Sequence, residues 1–117
     1  MHFLNASLFF FFVLLFNFVE MLFQRIYYTY ILKCNDESYY VGVTNNVKRR
    51  LIEHNQGLNK DCYTFGRRPV QLAYYESFKY ILNAIHREKE LKGWSRAKKE
   101  ALIAGDKLRI KELSRGK

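Results

Sequence analysis

Two aromatic, β-branched runs stand only a few residues apart in this chain, and that spacing constrains the fold more than any other feature. Ile26 to Cys34 reads IYYTYILKC, and Tyr39 to Thr44 reads YYVGVT. Both have the composition of strands. The link between them, Asn35-Asp36-Glu37-Ser38, is polar and turn-forming. A parallel pair would need a crossover of about a dozen residues or more, so the two strands must form an antiparallel hairpin.

Helical and extended segments then alternate. Asn45 or Asn46 caps a helix from Val47 to Gln56, and Gly57 stands where a helix-ending glycine belongs. Leu58 to Arg68 is a polar, basic loop without periodicity. Pro69 precedes a third strand, Val70 to Phe78. A second helix runs from Lys79 to Lys92, with Ile81, Leu82, Ile85 and Leu91 as its apolar positions. Gly93 ends it. Ser95 caps a third helix, Arg96 to Ala104, which Gly105 stops, and the tail holds one more short helix. The expected fold is α/β, of the α+β type. It is a small three-stranded, mostly antiparallel sheet flanked by helices, in the order β-β-α-β-α-α.

The 117 residues leave room for one domain. Formal net charge is +9, and residues 21–117 hold all 20 Lys and Arg and every acid except Glu20. A domain of that sign attracts polyanions, nucleic acid foremost. Cys34 and Cys62 are too few and too far apart for a zinc framework, and they read as reduced thiols of a cytoplasmic protein.

Residues 1–20 form a hydrophobic extension unlike the domain at 21–117. The apolar block LFFFFVLLFNFV, from Leu8 to Val19, is shorter than the ~20 residues that a spanning helix needs. A signal peptide would need a basic start and a small-residue cleavage site, and this segment has neither. A membrane partner therefore depends on this segment being genuine. The preferred expectation is that Met21 opens the functional chain and that the Phe-rich block is translated T-rich DNA. Mass spectrometry of the native N-terminus is expected to find Met21 first, and peptides from residues 2–20 would overturn that start.

Arg50 and His54 lie four residues apart on one helical face. A guanidinium and an imidazole above a strand bearing Tyr40 can bracket a phosphate. Read alone, Arg49, Arg50 and His54 make a solvated helix face. Tyr30 and Tyr40 sit near facing positions of the hairpin and project to one side. A lone strand tyrosine is usually a half-buried sheet residue. Glu88 sits in HREKE, which lacks the two-histidine spacing of a zinc helix. Its case rests on its company.

Taken together, these residues resemble the GIY-YIG nuclease superfamily, specifically its small stand-alone, UPF0213-like members. The first motif stands as Tyr28-Thr29-Tyr30 and the second as Tyr40-Val41-Gly42. Arg50, His54 and Glu88 fall at the family's arginine, histidine and glutamate positions. Lys92-Gly93-Trp94-Ser95-Arg96-Ala97-Lys98-Lys99 is similar to the basic segment of stand-alone members. Val43 departs from the lysine that several members carry after the second-motif glycine.

The resemblance implies metal-dependent hydrolysis of DNA phosphodiesters with low sequence specificity, in a setting such as DNA repair. Tyr30, Tyr40, Arg50, His54 and Glu88 are the implied catalytic residues. Glu88 would hold Mg²⁺ (or Mn²⁺), and Arg50 would add a cation at the phosphate. Tyr40 or His54 would be the general base, with Tyr30 orienting the water or Tyr40. Arg67, Arg68, Lys92, Arg96, Lys98 and Lys99 mark the expected DNA path. Trp94 either stacks on a base or packs, and packing is the simpler role. The expected partner is DNA, met by a monomer or a weak dimer. The alternative is a nucleic-acid-binding domain with the same fold and no catalysis, although binding alone would not demand a lone carboxylate beside a basic site.

Overall fold

The computed structural model describes residues 7–15, 19 and 25–115. Residues 7–15 are helical and exposed. The expected start at Met21 lies outside the described residues. No described helix is long and apolar enough to cross a membrane.

The hairpin forms as its short link requires. Strands β1 (Tyr27–Lys33) and β2 (Tyr39–Thr44) pair antiparallel. The turn closes through Cys34 N–H, which donates to the Ser38 carbonyl at 2.8 Å. Strand β3 (Gln71–Phe78) pairs antiparallel on the other side of β1, so the sheet order is β2-β1-β3. Every pairing is antiparallel, and the fold is the expected α+β type. Helix α1 (Val47–Gln56) has the predicted bounds. The Asn46 side chain accepts from Arg49 N–H at its start, and Gly57 closes it at φ 67°. Helices α2 (Ile81–Lys92), α3 (Arg96–Ala104) and α4 (Lys107–Arg115) complete the chain. Ser95 caps α3 as expected.

Strand periodicity sends alternate side chains to opposite faces. Ile31 and Val41 on one face bury against Leu91 of α2, and Trp94, Leu102 and Ile103 pack around them. Thr29 Oγ1 donates to the Ala84 carbonyl at 2.7 Å, which pins α2 to the central strand. The other face carries Tyr30 and Leu32, packed with Cys34, Val70, Tyr40 and Leu51 of α1. Asn55 ties α1 to the start of β3: its Nδ2 donates to the Val70 carbonyl at 3.0 Å, and its Oδ1 accepts from Val70 N–H at 2.7 Å. The sheet is therefore the middle of three layers.

Two sequence expectations need correction. Helix α2 runs from Ile81, close to the expected start, and its apolar positions divide: Leu91 is buried and Ile85 half-buried as the periodicity implies, but Ile81 and Leu82 are not. Ile81 and Leu82 are 45% and 74% exposed, whereas Ala84 and Leu91 are fully buried. The Ala84 carbonyl that accepts from Thr29 fixes this side of the helix against the sheet. That orientation puts Glu88 between Ala84 and Leu91 on the inward stripe, by their spacing of four and three residues. The second correction concerns the loop after α1. It holds a 3₁₀ turn, Phe65–Arg67, and its side chains are fastened into the tyrosine face.

Candidate active site

The site is built on the face of the sheet covered by α1. Tyr30 pairs with Gly42, and Tyr40 pairs with Leu32, so the two tyrosines are diagonal neighbours on one face. Their ring centroids are 6.3 Å apart. Gly42 serves this arrangement sterically. A Cβ there would meet the Tyr30 hydroxyl at 2.5 Å, so the absence of a side chain lets the Tyr30 ring lie across the strand.

Helix α1 brings Arg50 and His54 over the same rings. The Tyr30 hydroxyl is 2.9 Å from His54 Nε2, and Thr64 Oγ1 is 2.8 Å from His54 Nδ1. Thr64 Oγ1 also donates to Cys62 Sγ at 3.4 Å. A hydroxyl has one proton to give. With that proton on Cys62, Thr64 accepts from His54 Nδ1–H, so Nε2 carries a lone pair and accepts from Tyr30 O–H. The Arg50 charge acts on the Tyr30 hydroxyl from nearby. The bonds thus run in one direction, from Tyr30 through His54 and Thr64 to Cys62.

The electrostatics follow from burial. Tyr30 is 2% exposed, and its hydroxyl is held far above the ordinary phenol range, by burial first and by Tyr40 next. His54 is pulled down to about 4, by burial first and then by the charge of Arg50, so the imidazole is neutral at pH 7. Tyr40 is raised by burial and by Cys62, while Arg50 and Lys92 draw it down. Burial pushes the Cys62 thiol up. Hydrogen bonds from Thr64 and Tyr40 and the Arg50 charge outweigh that, and its net shift is downward.

Tyr40 is the accessible tyrosine. Its ring stacks on Tyr63 at 6.4 Å and meets His54 edge-on at 5.1 Å. Arg67 lies over the Tyr63 ring, 3.7 Å from its centroid, and is held by Asp36 at 2.9 Å and the Tyr63 carbonyl at 2.7 Å. Arg68 lies over Phe65 and donates to the Phe65 carbonyl at 2.7 Å. Both arginines expected along a DNA path are therefore also the fasteners of this loop. Arg50 remains partly exposed beside Glu53, at 3.3 Å.

Glu88 comes from the opposite layer. Helix α2 packs on β1 and on the edge strand β2, and the Glu88 side chain is 19% exposed. Lys92 Nζ holds its carboxylate at 2.6 Å, and the same Lys92 is among the charges acting on Tyr40. The remaining expected DNA contacts lie on the α2 side. Arg96 donates to the Glu37 carbonyl at 2.6 Å and stacks on Tyr39, Lys98 lies over Trp94, and burial lowers Lys99. Trp94 is half-buried between Arg87 and Lys98, in the packing role.

Residues 26–101 match the GIY-YIG catalytic domain. The chain belongs to the GIY-YIG family. That places it in a nuclease family. The chain is 48% identical over 80 residues to a UPF0213 protein of Natronomonas pharaonis, spanning 68% of this chain and 93% of that one. A UPF0213 protein of Bacillus pumilus is 42% identical over 86 residues, covering 74% and 85%. A solution NMR structure of a UPF0213 protein from Bacillus halodurans aligns at TM-score 0.46 with 40% identity, covering 69% of this chain and 85% of that one.

Within this GIY-YIG domain, sequence reasoning missed Cys62, Tyr63 and Thr64. They sit in a loop with no periodicity, and their partners lie on α1 and β2. A single hard carboxylate, Glu88, fits an octahedral divalent ion that keeps most of its waters. Among the described residues no group of three or more His, Cys, Asp and Glu converges.

Proposed function

We propose that this GIY-YIG protein is a divalent-metal-dependent DNA endonuclease with low sequence specificity. The observation that carries the reading is the convergence of Tyr30, Tyr40, Arg50 and His54 on one face, with Glu88 on α2, which packs on β1 and the edge strand β2 from the opposite layer. Arg50 binds a non-bridging oxygen of the scissile phosphate, since its charge persists at any working pH. Tyr30 lies beneath Arg50 and donates its own O–H to His54 Nε2. His54 is neutral, buried and bonded at both ring nitrogens. It therefore positions Tyr30 and leaves the role of base to Tyr40.

Tyr40 acts in its phenolate form. The attacking water's oxygen bonds to phosphorus, its proton passes to the Tyr40 oxygen, and the bond to the 3′ oxygen breaks. Burial and Cys62 raise Tyr40 and outweigh the opposing pull of Arg50 and Lys92, so the phenolate fraction grows only on the alkaline side. Cleavage is accordingly expected to rise with pH on the alkaline side of neutrality. Glu88 would hold Mg²⁺ or Mn²⁺, which supplies positive charge at the leaving oxygen and the phosphorane. Lys92 would have to yield its place on that carboxylate.

The test is cleavage of supercoiled plasmid and branched oligonucleotides by the full chain, with and without Mg²⁺, beside Glu88→Ala. Metal-dependent nicking that disappears in the variant is the expected result. DNA binding without cutting, equal in both proteins, would replace the enzyme with a binding domain.

A further inference from the structure

Helix α1 and its loop cover only part of the tyrosine face. Tyr75 of β3 lies directly opposite Tyr30 in the register and so shares its face. Tyr30 is buried, but Tyr75 is 56% exposed. Tyr28 meets the Tyr75 ring edge-to-face, with centroids 5.9 Å apart and planes at 70°. Tyr75 is the more exposed ring of the pair, and Tyr28 is half-buried. The two rings form the wall of a shallow cleft of about 490 Å³, whose other lining residues are Asn45, Asn46, Val47 and Lys48. That size is within the ~300–1,000 Å³ of small-molecule clefts.

The lining chemistry selects the occupant. It contains one cation and no acid, in a chain of net charge +9. Asn45 and Asn46 use their side-chain oxygens to accept from Arg49, and each keeps an NH₂ donor. Aromatic faces, amide donors and a lysine are what an unpaired base and its phosphate require. A protein surface of apolar character would find too little apolar rim here. Lys48 of the cleft and Arg50 stand two residues apart on α1, and Tyr75 shares the face of Tyr30 by register.

We propose that Tyr28, Tyr75 and Lys48 form a stacking subsite for an unpaired base flanking the phosphate bound at Arg50, so that the substrate class is DNA with single-stranded character. The proposal rests on the nuclease reading for its phosphate site and has its own readout. Single strands carrying 2-aminopurine, or an abasic site at the same position, are titrated with the full chain. Tyr75→Ala and Tyr75→Phe are run beside it. Tyr75 is exposed, and thermal unfolding confirms that both variants are folded.

Binding is expected to quench the 2-aminopurine. Tyr75→Ala is expected to weaken binding by about 5- to 150-fold, the range of one lost base stack, and Tyr75→Phe to retain it. The abasic strand should bind the wild type and Tyr75→Ala equally. Unquenched binding, or an equal loss on both strands, overturns the subsite. A sedimentation shift in Tyr75→Ala would also overturn it, by assigning the cleft to a second copy. Glu88-dependent plasmid nicking with no Tyr75 effect removes the subsite alone. Quenching without any nicking removes the nuclease reading alone.

Discussion

Tyr40→Phe is expected to lower the rate of DNA cleavage by roughly 10²- to 10⁴-fold, the usual contribution of a positioned general base. The variant removes one oxygen and keeps the ring that stacks on Tyr63 and touches His54. Stability and DNA affinity should therefore change little, and the loss should fall on kcat. A second variant reads the proton itself. Cys62 raises Tyr40, so Cys62→Ala is expected to move the rising limb of the pH–rate profile to lower pH. Single-turnover cleavage across pH measures both effects. A loss of less than tenfold in Tyr40→Phe would remove Tyr40 as the base.

Acid should destabilise this protein through His54. Its folded value of about 4 lies below its ordinary 6.5. The unfolded chain therefore takes up the proton first as pH falls. The stabilising contribution is complete above pH 6.5 and is lost as pH drops towards 4. At 1.36 kcal/mol per unit, the loss amounts to about 3 kcal/mol, a large part of the ~5–15 kcal/mol of a typical domain. Because His54 is 4% exposed, solvent screens this little. Urea unfolding of the wild type and His54→Gln from pH 7 to pH 4 measures it. The wild type should lose that stability over the window, and the variant's profile should be flatter by the same amount. Parallel profiles would show that His54 charges without cost.

The local elements were legible because each rests on residues a few positions apart. A polar link too short for a crossover forces the β1–β2 hairpin. Asn46, Ser95, Gly57 and Gly105 act on the helix ends beside them. Tyr30, Tyr40, Arg50 and His54 could be grouped because a hairpin and the next helix bring them together with little intervening chain.

Only the tertiary structure decided the rest. The orientation of α2 is held by the bond from Thr29 to the Ala84 carbonyl, which no local pattern marks. Of its apolar positions Leu91 is buried, but Ile81 and Leu82 face outward. Cys62, Tyr63 and Thr64 carry no pattern along the chain, yet they align His54 and brace Tyr40. Arg67 and Arg68 read as free cations in sequence, but carbonyls and aromatic rings of their own loop engage them. The division has one physical cause. Caps and turns are settled by the nearest backbone groups, whereas burial and hydrogen-bond direction depend on what the folded chain brings across from elsewhere.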